Sequence, residues 1–300
     1  MTGSPPVRRR LLGSALRKYR EDLGLTLDQA AGILECDRSK VSRIETGQRG
    51  IRAKELRELL TDYGVADGEQ EALLAIAHSG RSSGWWLEYR DVLSEAGQDY
   101  VILELAATGI LAYEPHQIPD LLQTPEYASA LADADANCTS DASREHAVEV
   151  KLARQRIVLG TRAPRLEVVI AEGALRQAVG GARVMRRQLD WLAEVAEAGL
   201  VRTLPDGDEV RAVVARARVS LQVLPFAVGA HAAAGCGPMT VLRFAQTQTL
   251  GVVHLSGLSG GVSLEDREEV ARYLRTFGQL RSAALSAPAS ARLLRALARE

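Results

Sequence analysis

The chain has 300 residues, 46% of them apolar, which is enough for one or two packed cores and excludes a disordered chain. Its 37 basic and 38 acidic residues nearly cancel, yet residues 1–54 carry 12 basic against 6 acidic, and the remainder carries 25 against 32. A basic head thus precedes an acidic body, an asymmetry that points to a polyanion at the head. Apolar stretches such as Val101 to Tyr113, broken by Glu104, fall short of the ~20 residues a membrane span requires. Arg17, Lys18 and Arg20 stand where the apolar core of a signal peptide would lie, so a cytoplasmic protein is expected. Cys36, Cys138 and Cys236 are odd in number and lack metal-ligand spacing, which disfavours a disulfide framework, a metal site and any other cofactor.

The head reads as five short helices. Leu12, Leu16, Tyr19 and Leu23 recur at helical spacing before Gly24, a left-handed stop. Thr26 with Gln29 forms a capping box for a second helix whose apolar face is Leu27, Ala30, Ala31 and Leu34. Asp37 is placed to cap a third, with Val41 and Ile44 buried, Arg38, Ser39, Lys40, Ser42 and Arg43 outward, and Gly47 closing it. Leu56, Leu59, Leu60 and Tyr63 mark a fourth helix; Leu73, Leu74 and Ala77 mark a fifth.

Two short helices across a tight turn, the second fronted by Arg, Ser and Lys, have the layout of a helix-turn-helix. Leu25 to Ala31 followed by Asp37 to Gly47 resembles the Cro/repressor (XRE) helix-turn-helix. The resemblance implies that Arg20 and Glu45 form a partly buried ion pair orienting the recognition helix, about residues 37–46. It also makes Glu35 a departure, since glycine usually occupies that turn position; a left-handed backbone there costs roughly 1 kcal/mol. Cys36 then sits in an apolar slot of the turn. Arg38, Ser39, Ser42 and Arg43 are placed to reach base edges, and Arg17, Lys40, Thr46, Gln48 and Arg49, with the arm Arg8 to Arg10, to reach phosphates. One such head covers few base pairs, so a homodimer on paired half-sites of double-stranded DNA is expected. The fragment 1–78 is expected to bind DNA with steep salt dependence, and 84–300 not at all.

Residues 79–84 read as a polar linker between the helix-turn-helix domain, 1–78, and an α+β domain, 85–300, with an antiparallel or mixed sheet. Trp85 and Trp86 open that domain, and such pairs more often anchor an interface than stack a ligand. Strands are predicted over Gly109 to Glu114, Leu166 to Ile170, Val219 to Leu224, Met239 to Phe244 and Gly251 to Leu255. Helices are predicted over Pro125 to Asp133, with Thr124 as cap, Ser143 to Leu159, Arg183 to Ala198, Glu268 to Leu285 and Ala289 to Ala298.

Gly84-Trp85-Trp86, Glu114-Pro115, Ile118-Pro119, Leu121 to Thr124, Arg154-Gln155, Leu224-Pro225-Phe226, Gly229-Ala230-His231 and Leu264-Glu265-Asp266 resemble the C-terminal domain behind an XRE head in a large group of actinobacterial regulators. That resemblance implies a dimerising domain that receives a small partner protein, as in antitoxin-like proteins, or another signal. Asp120, His254 and Ser256 depart from the group's usual phrases, and 203–217 looks like an insertion. A small-molecule site is a further possibility, with Trp85, Trp86, Tyr113 and His231 lining its pocket. No enzyme is expected: His231 and Cys236 lack an oriented third group, and GxxxxGK[ST], HExxH and GxSxG are absent. Glu104, Glu114 and Glu172 read as loop, cap or surface residues.

Overall fold

In the computed structural model the described residues are 6–78, 85–89, 91–160, 164–199, 218–244, 251–257 and 260–300. The predicted linker, 79–84, and the predicted insertion, 203–217, lie outside them.

Five helices build the head: α1 (Val7–Asp22), α2 (Leu27–Ile33), α3 (Arg38–Glu45), α4 (Ala53–Asp62) and α5 (Asp67–His78). The Thr26–Gln29 capping box closes in both directions, at 3.2 Å onto the Gln29 N–H and 2.8 Å back onto the Thr26 N–H. Asp37 occupies the cap position of α3, but its carboxylate makes no capping bond, so that helix starts without the expected side-chain support. Glu35 does take the left-handed backbone, at φ 46°, where glycine would be free of strain. Ala30 and Ala31 are buried where α2 meets α3. Gly13 has the same function on α1, because a Cβ there would collide with the main-chain carbonyls of Ile44 and Glu45 at the end of α3. A side chain at residue 13 would push the third helix away from the first.

The body adds a 3-10 turn (Trp85–Tyr89), α6 (Glu95–Ala106), β1 (Gly109–Glu114), a 3-10 turn (Asp120–Leu122), α7 (Pro125–Ala134) and α8 (Asp141–Gly160). Then come β2 (Arg165–Ala171), α9 (Glu172–Leu175), α10 (Ala182–Ala198), β3 (Val219–Leu224), β4 (Met239–Arg243), β5 (Gly251–Leu255), β6 (Val262–Leu264), α11 (Arg267–Ala283) and α12 (Ala287–Leu297). The sheet is mixed, in the order β3-β2-β1-β4-β5-β6. β1 is its pivot: β2 and β3 continue parallel on one side, β4, β5 and β6 antiparallel on the other. Helices α7 and α8 lie in the crossover from β1 to β2, as parallel pairing requires.

Side chains alternate across the sheet. Ile110, Ala112, Leu166, Val168, Ile170, Leu221 and Val223 face one layer, in a core that includes Leu189, Leu192 and Leu294 of α10 and α12. Leu111, Tyr113, Val169, Met239, Val241 and Val253 face the other, against Val270, Phe277 and Leu280 of α11. Each of these large side chains contributes ~1.5–3 kcal/mol on burial. The larger core also runs without a break into the head, from Leu11 and Leu16 to Leu103 and Ala107.

Every predicted strand and helix of the body is present within two residues at each end. Helix α6, the four-residue α9 and the three-residue β6 escaped prediction. Val101, Ile102, Leu103 and Glu104 of α6 are buried in succession, so the helix shows no apolar stripe and merges with β1 into one apolar run. Glu104, Glu114 and Glu172 are not surface residues: each is at least nine-tenths buried. Glu172 accepts from Arg176 at 2.8 Å and from the Phe226 N–H at 2.9 Å, which fastens α9 to the segment after β3.

Candidate nucleic-acid interface and effector cavity

Arg20 donates from its Nε and Nη2 to the two oxygens of Glu45, at 2.7 and 2.8 Å, and from Nη1 to the Leu25 carbonyl at 2.8 Å. Both side chains are about nine-tenths buried, so the bidentate fork fixes the end of α3 against α1. Arg38, Ser39 and Arg43 stand exposed on the outer face of α3, with Ser42 half-buried beside them. Arg43 bonds loosely to the Ser39 carbonyl at 3.2 Å, and Arg38 lies 3.8 Å from Asp28. These are weak solvent-exposed interactions that a base edge or phosphate can replace.

The residues expected at phosphates divide into two sets. Gln48 and Arg49 are exposed beyond the end of α3, Thr46 is exposed with its hydroxyl on the Ser42 carbonyl, and Arg17 is exposed but paired with Glu21 at 2.8 Å. Lys40 instead donates to Glu55 of α4 at 2.8 Å in a half-buried site, which commits its charge to holding α3 and α4 together. Nor is Arg8 to Arg10 a free arm. These residues form the first turn of α1: Arg8 lies 3.3 Å from Asp99 of α6, and Arg10 forks onto Glu265, one of its bonds measuring 3.1 Å. Only Arg9 of the three is exposed. Two of the head's cations therefore dock it on the acidic body.

The predicted pocket residues do not come together. Trp86 packs with Val101 and Ile102 and edge-on against Trp85, whose ring also meets Tyr89 edge-on. Tyr113 faces the α11 side of the sheet, 6.1 Å from the ring of His231. None of the four lines the cavity beside Arg154.

That cavity, of about 280 Å³, lies at the carboxyl end of β1, between α6, the Asp120–Leu122 turn and β5. At its wall Arg154 of α8 is buried and fully engaged: Nε and Nη2 donate to Glu104 at 2.8 Å each, and Nη1 donates to Asp120 at 2.9 Å. The Tyr100 hydroxyl donates to Glu104 at 3.0 Å, and the Arg154 guanidinium lies 5.4 Å from the Tyr100 ring centre. The Tyr100 ring also meets His254 at 4.2 Å between ring centres, and the backbone at Gly261 lies so close to that imidazole that no Cβ would fit. Burial opposes ionisation of Asp120, but Lys151 and Arg154 outweigh it and draw its pKa down to about 2. Burial, with Arg154 adding to it, lowers His254 to about 4, which keeps it neutral. Glu114 is the opposite case: burial, reinforced by Asp120, pushes it up to about 8, and its Oε2 has no hydrogen-bond partner.

A basic recognition helix locked by a buried fork defines a helix-turn-helix DNA-binding regulator. Family comparison agrees, matching a helix-turn-helix domain over residues 11–74. A second family model, described as a domain of unknown function (DUF5753), matches residues 98–207 and 207–296, about two thirds of the chain, and the chain belongs to that family. No curated protein and no solved structure matches it.

Proposed function

We propose that this chain is a dimeric, sequence-specific transcriptional regulator of the XRE type, in which Arg38, Ser39, Ser42 and Arg43 read base edges and Gln48, Arg49 and Thr46 hold phosphates. The observation that carries this reading is the exposed Arg/Ser face of α3 held rigidly by the Arg20–Glu45 fork. Arginine favours the O6/N7 edge of guanine, and one such bidentate contact discriminates by ~1–3 kcal/mol. Arg43→Ala is therefore expected to flatten sequence preference, and Arg49→Ala to weaken all sequences alike and reduce the salt slope by about one. Competition binding against operator and scrambled duplexes checks both; unchanged discrimination in Arg43→Ala removes that residue from base readout. Footprinting on the protein's own upstream region tests half-site spacing, dimer binding and autoregulation together.

The body, on this reading, is non-catalytic and receives a signal. His231 supports this: its Nδ1 accepts from the Ala233 N–H at 3.3 Å, so that nitrogen is not a base for Cys236. Of the two signal classes, a small molecule is favoured by the cavity beside Glu114. An antitoxin-like role, holding a small partner protein encoded nearby, is the other; a stoichiometric co-purifying protein that alters operator binding establishes it.

A further inference from the structure

The cavity at the end of β1 has one polar group with an unmet need. Both oxygens of Glu104 are occupied by Arg154, one of them also by Tyr100. Asp120 is bonded by Arg154 and, at 3.1 Å, by Gln123, with Lys151 3.5 Å away. Arg154 has its Nε and both terminal nitrogens on carboxylates, and Lys151 donates to Gln123 at 3.2 Å. Glu114 alone in this cluster, among the described residues, has a buried oxygen without a partner, and the residue is one of those that line the cavity. A buried carboxyl in that condition forgoes a hydrogen bond that a bound donor would supply.

The charges select the donor. With Glu114 ionised the cluster holds three carboxylates, Glu104, Asp120 and Glu114, against two cations, Arg154 and Lys151, so one positive charge is missing. An anionic ligand would find no uncommitted cation at this wall. The rest of the lining supplies apolar surface from Leu93, Val101, Ile110, Leu121 and Leu166, beside the Tyr100 ring. The volume lies at the small end of ligand cavities.

We infer that this cavity binds a small primary amine in its ammonium form, with the ammonium on Glu114 and a short aliphatic or single-ring body against Leu93, Val101 and Leu166. Binding transfers the Glu114 carboxyl proton to solvent while the ammonium, with an ordinary pKa near ~10, keeps its own. The groups that act on Glu114 are Asp120, Lys151 and Tyr127, with Glu104, Arg154 and His254 around the same cluster. Its raised pKa makes the sign definite: near pH 6 a proton must be expelled for the amine to bind, and affinity rises toward pH 8. The inference deepens the small-molecule form of the proposed signal reception, and its test uses no DNA, so it fails or stands apart from the recognition-helix reading.

The experiment is titration calorimetry and thermal denaturation of the full chain with n-butylammonium and phenethylammonium, against butyrate and n-butanol. The expected result is a Tm that rises with amine concentration alone, and a binding enthalpy at pH 7 whose dependence on buffer ionisation shows release of close to one proton. Glu114→Gln is expected to weaken amine binding by about tenfold or more and to abolish the proton release. Absence of amine binding at millimolar concentration, equal stabilisation by butyrate or butanol, or unchanged affinity in Glu114→Gln overturns the inference. Should that variant not fold, proton release by the wild-type chain decides alone: its presence upholds the site and its absence refutes it.

Discussion

Glu45→Ala is expected to abolish specific DNA binding and to lower stability by ~3–5 kcal/mol, the usual result of stranding one member of a buried ion pair. In this chain the stranded group is Arg20, which would keep only the Leu25 carbonyl and a 3.5 Å approach to Glu21. The end of α3 would lose its fixed bearing on α1, and with it the alignment of Arg38, Ser39 and Arg43 toward one groove. Thermal denaturation is expected to show a fall on the order of 10 °C. The double replacement Arg20→Leu with Glu45→Leu is expected to recover much of that stability, since it leaves no unpaired charge. If the single variant melts like wild type, the fork does not orient the recognition helix.

The second large effect is expected at Arg154→Ala in the body. Removing that guanidinium leaves Glu104, whose side chain is 1% exposed, with only the Tyr100 hydroxyl, and Asp120 with Lys151 and Gln123. A loss of at least ~3–5 kcal/mol at pH 7 follows. Its pH dependence identifies the cause. In the wild-type chain the lowered pKa of Asp120 contributes stability that is present above its ordinary value of 3.8 and is lost as the pH falls through about 2. The variant loses one of the cations that hold Asp120 ionised, so Asp120 protonates at higher pH and the stability difference from wild type narrows on acidification. Denaturation curves between pH 4 and 8 check this; a gap that stays constant over that range shows the loss is packing and not charge.

How much of this was legible beforehand depends on the distance between the residues concerned. The head's caps, apolar stripes and outward Arg/Ser face all lie within windows of a few residues, and the Thr26–Gln29 box, the left-handed Glu35 and the outward Arg38, Ser39 and Arg43 appear in the structure as read, whereas Lys40 turns to Glu55. The Arg20–Glu45 pair spans 25 residues and was reached only through family resemblance, since no spacing rule joins two helices across a turn. The cavity could not be read at all. Its polar wall is assembled from α6, β1, a 3-10 turn, α8 and β5, and only the tertiary fold brings Glu104, Glu114, Asp120, Arg154 and His254 together. Asp120 and His254 stand out in the sequence as departures from a family phrase, whereas Glu104 and Glu114 read as loop, cap or surface residues. Aromatic residues next to the linker and His231 are the more obvious lures, and the structure puts the two tryptophans in a small cluster with α6 and His231 beside Tyr113 on the α11 side of the sheet.

The contact between the first turn of α1 and the body changes what the segment near residue 79 divides. Arg8 on Asp99 and Arg10 on Glu265 close the rim of an apolar surface through which the head's core continues into that of α6. A fragment cut at residue 78 would expose that surface to water, so it is a poorer model of the head than its five helices suggest. In calorimetric terms head and body are expected to melt as one unit, so that a compound that stabilises the body also raises the temperature at which the recognition helix is lost.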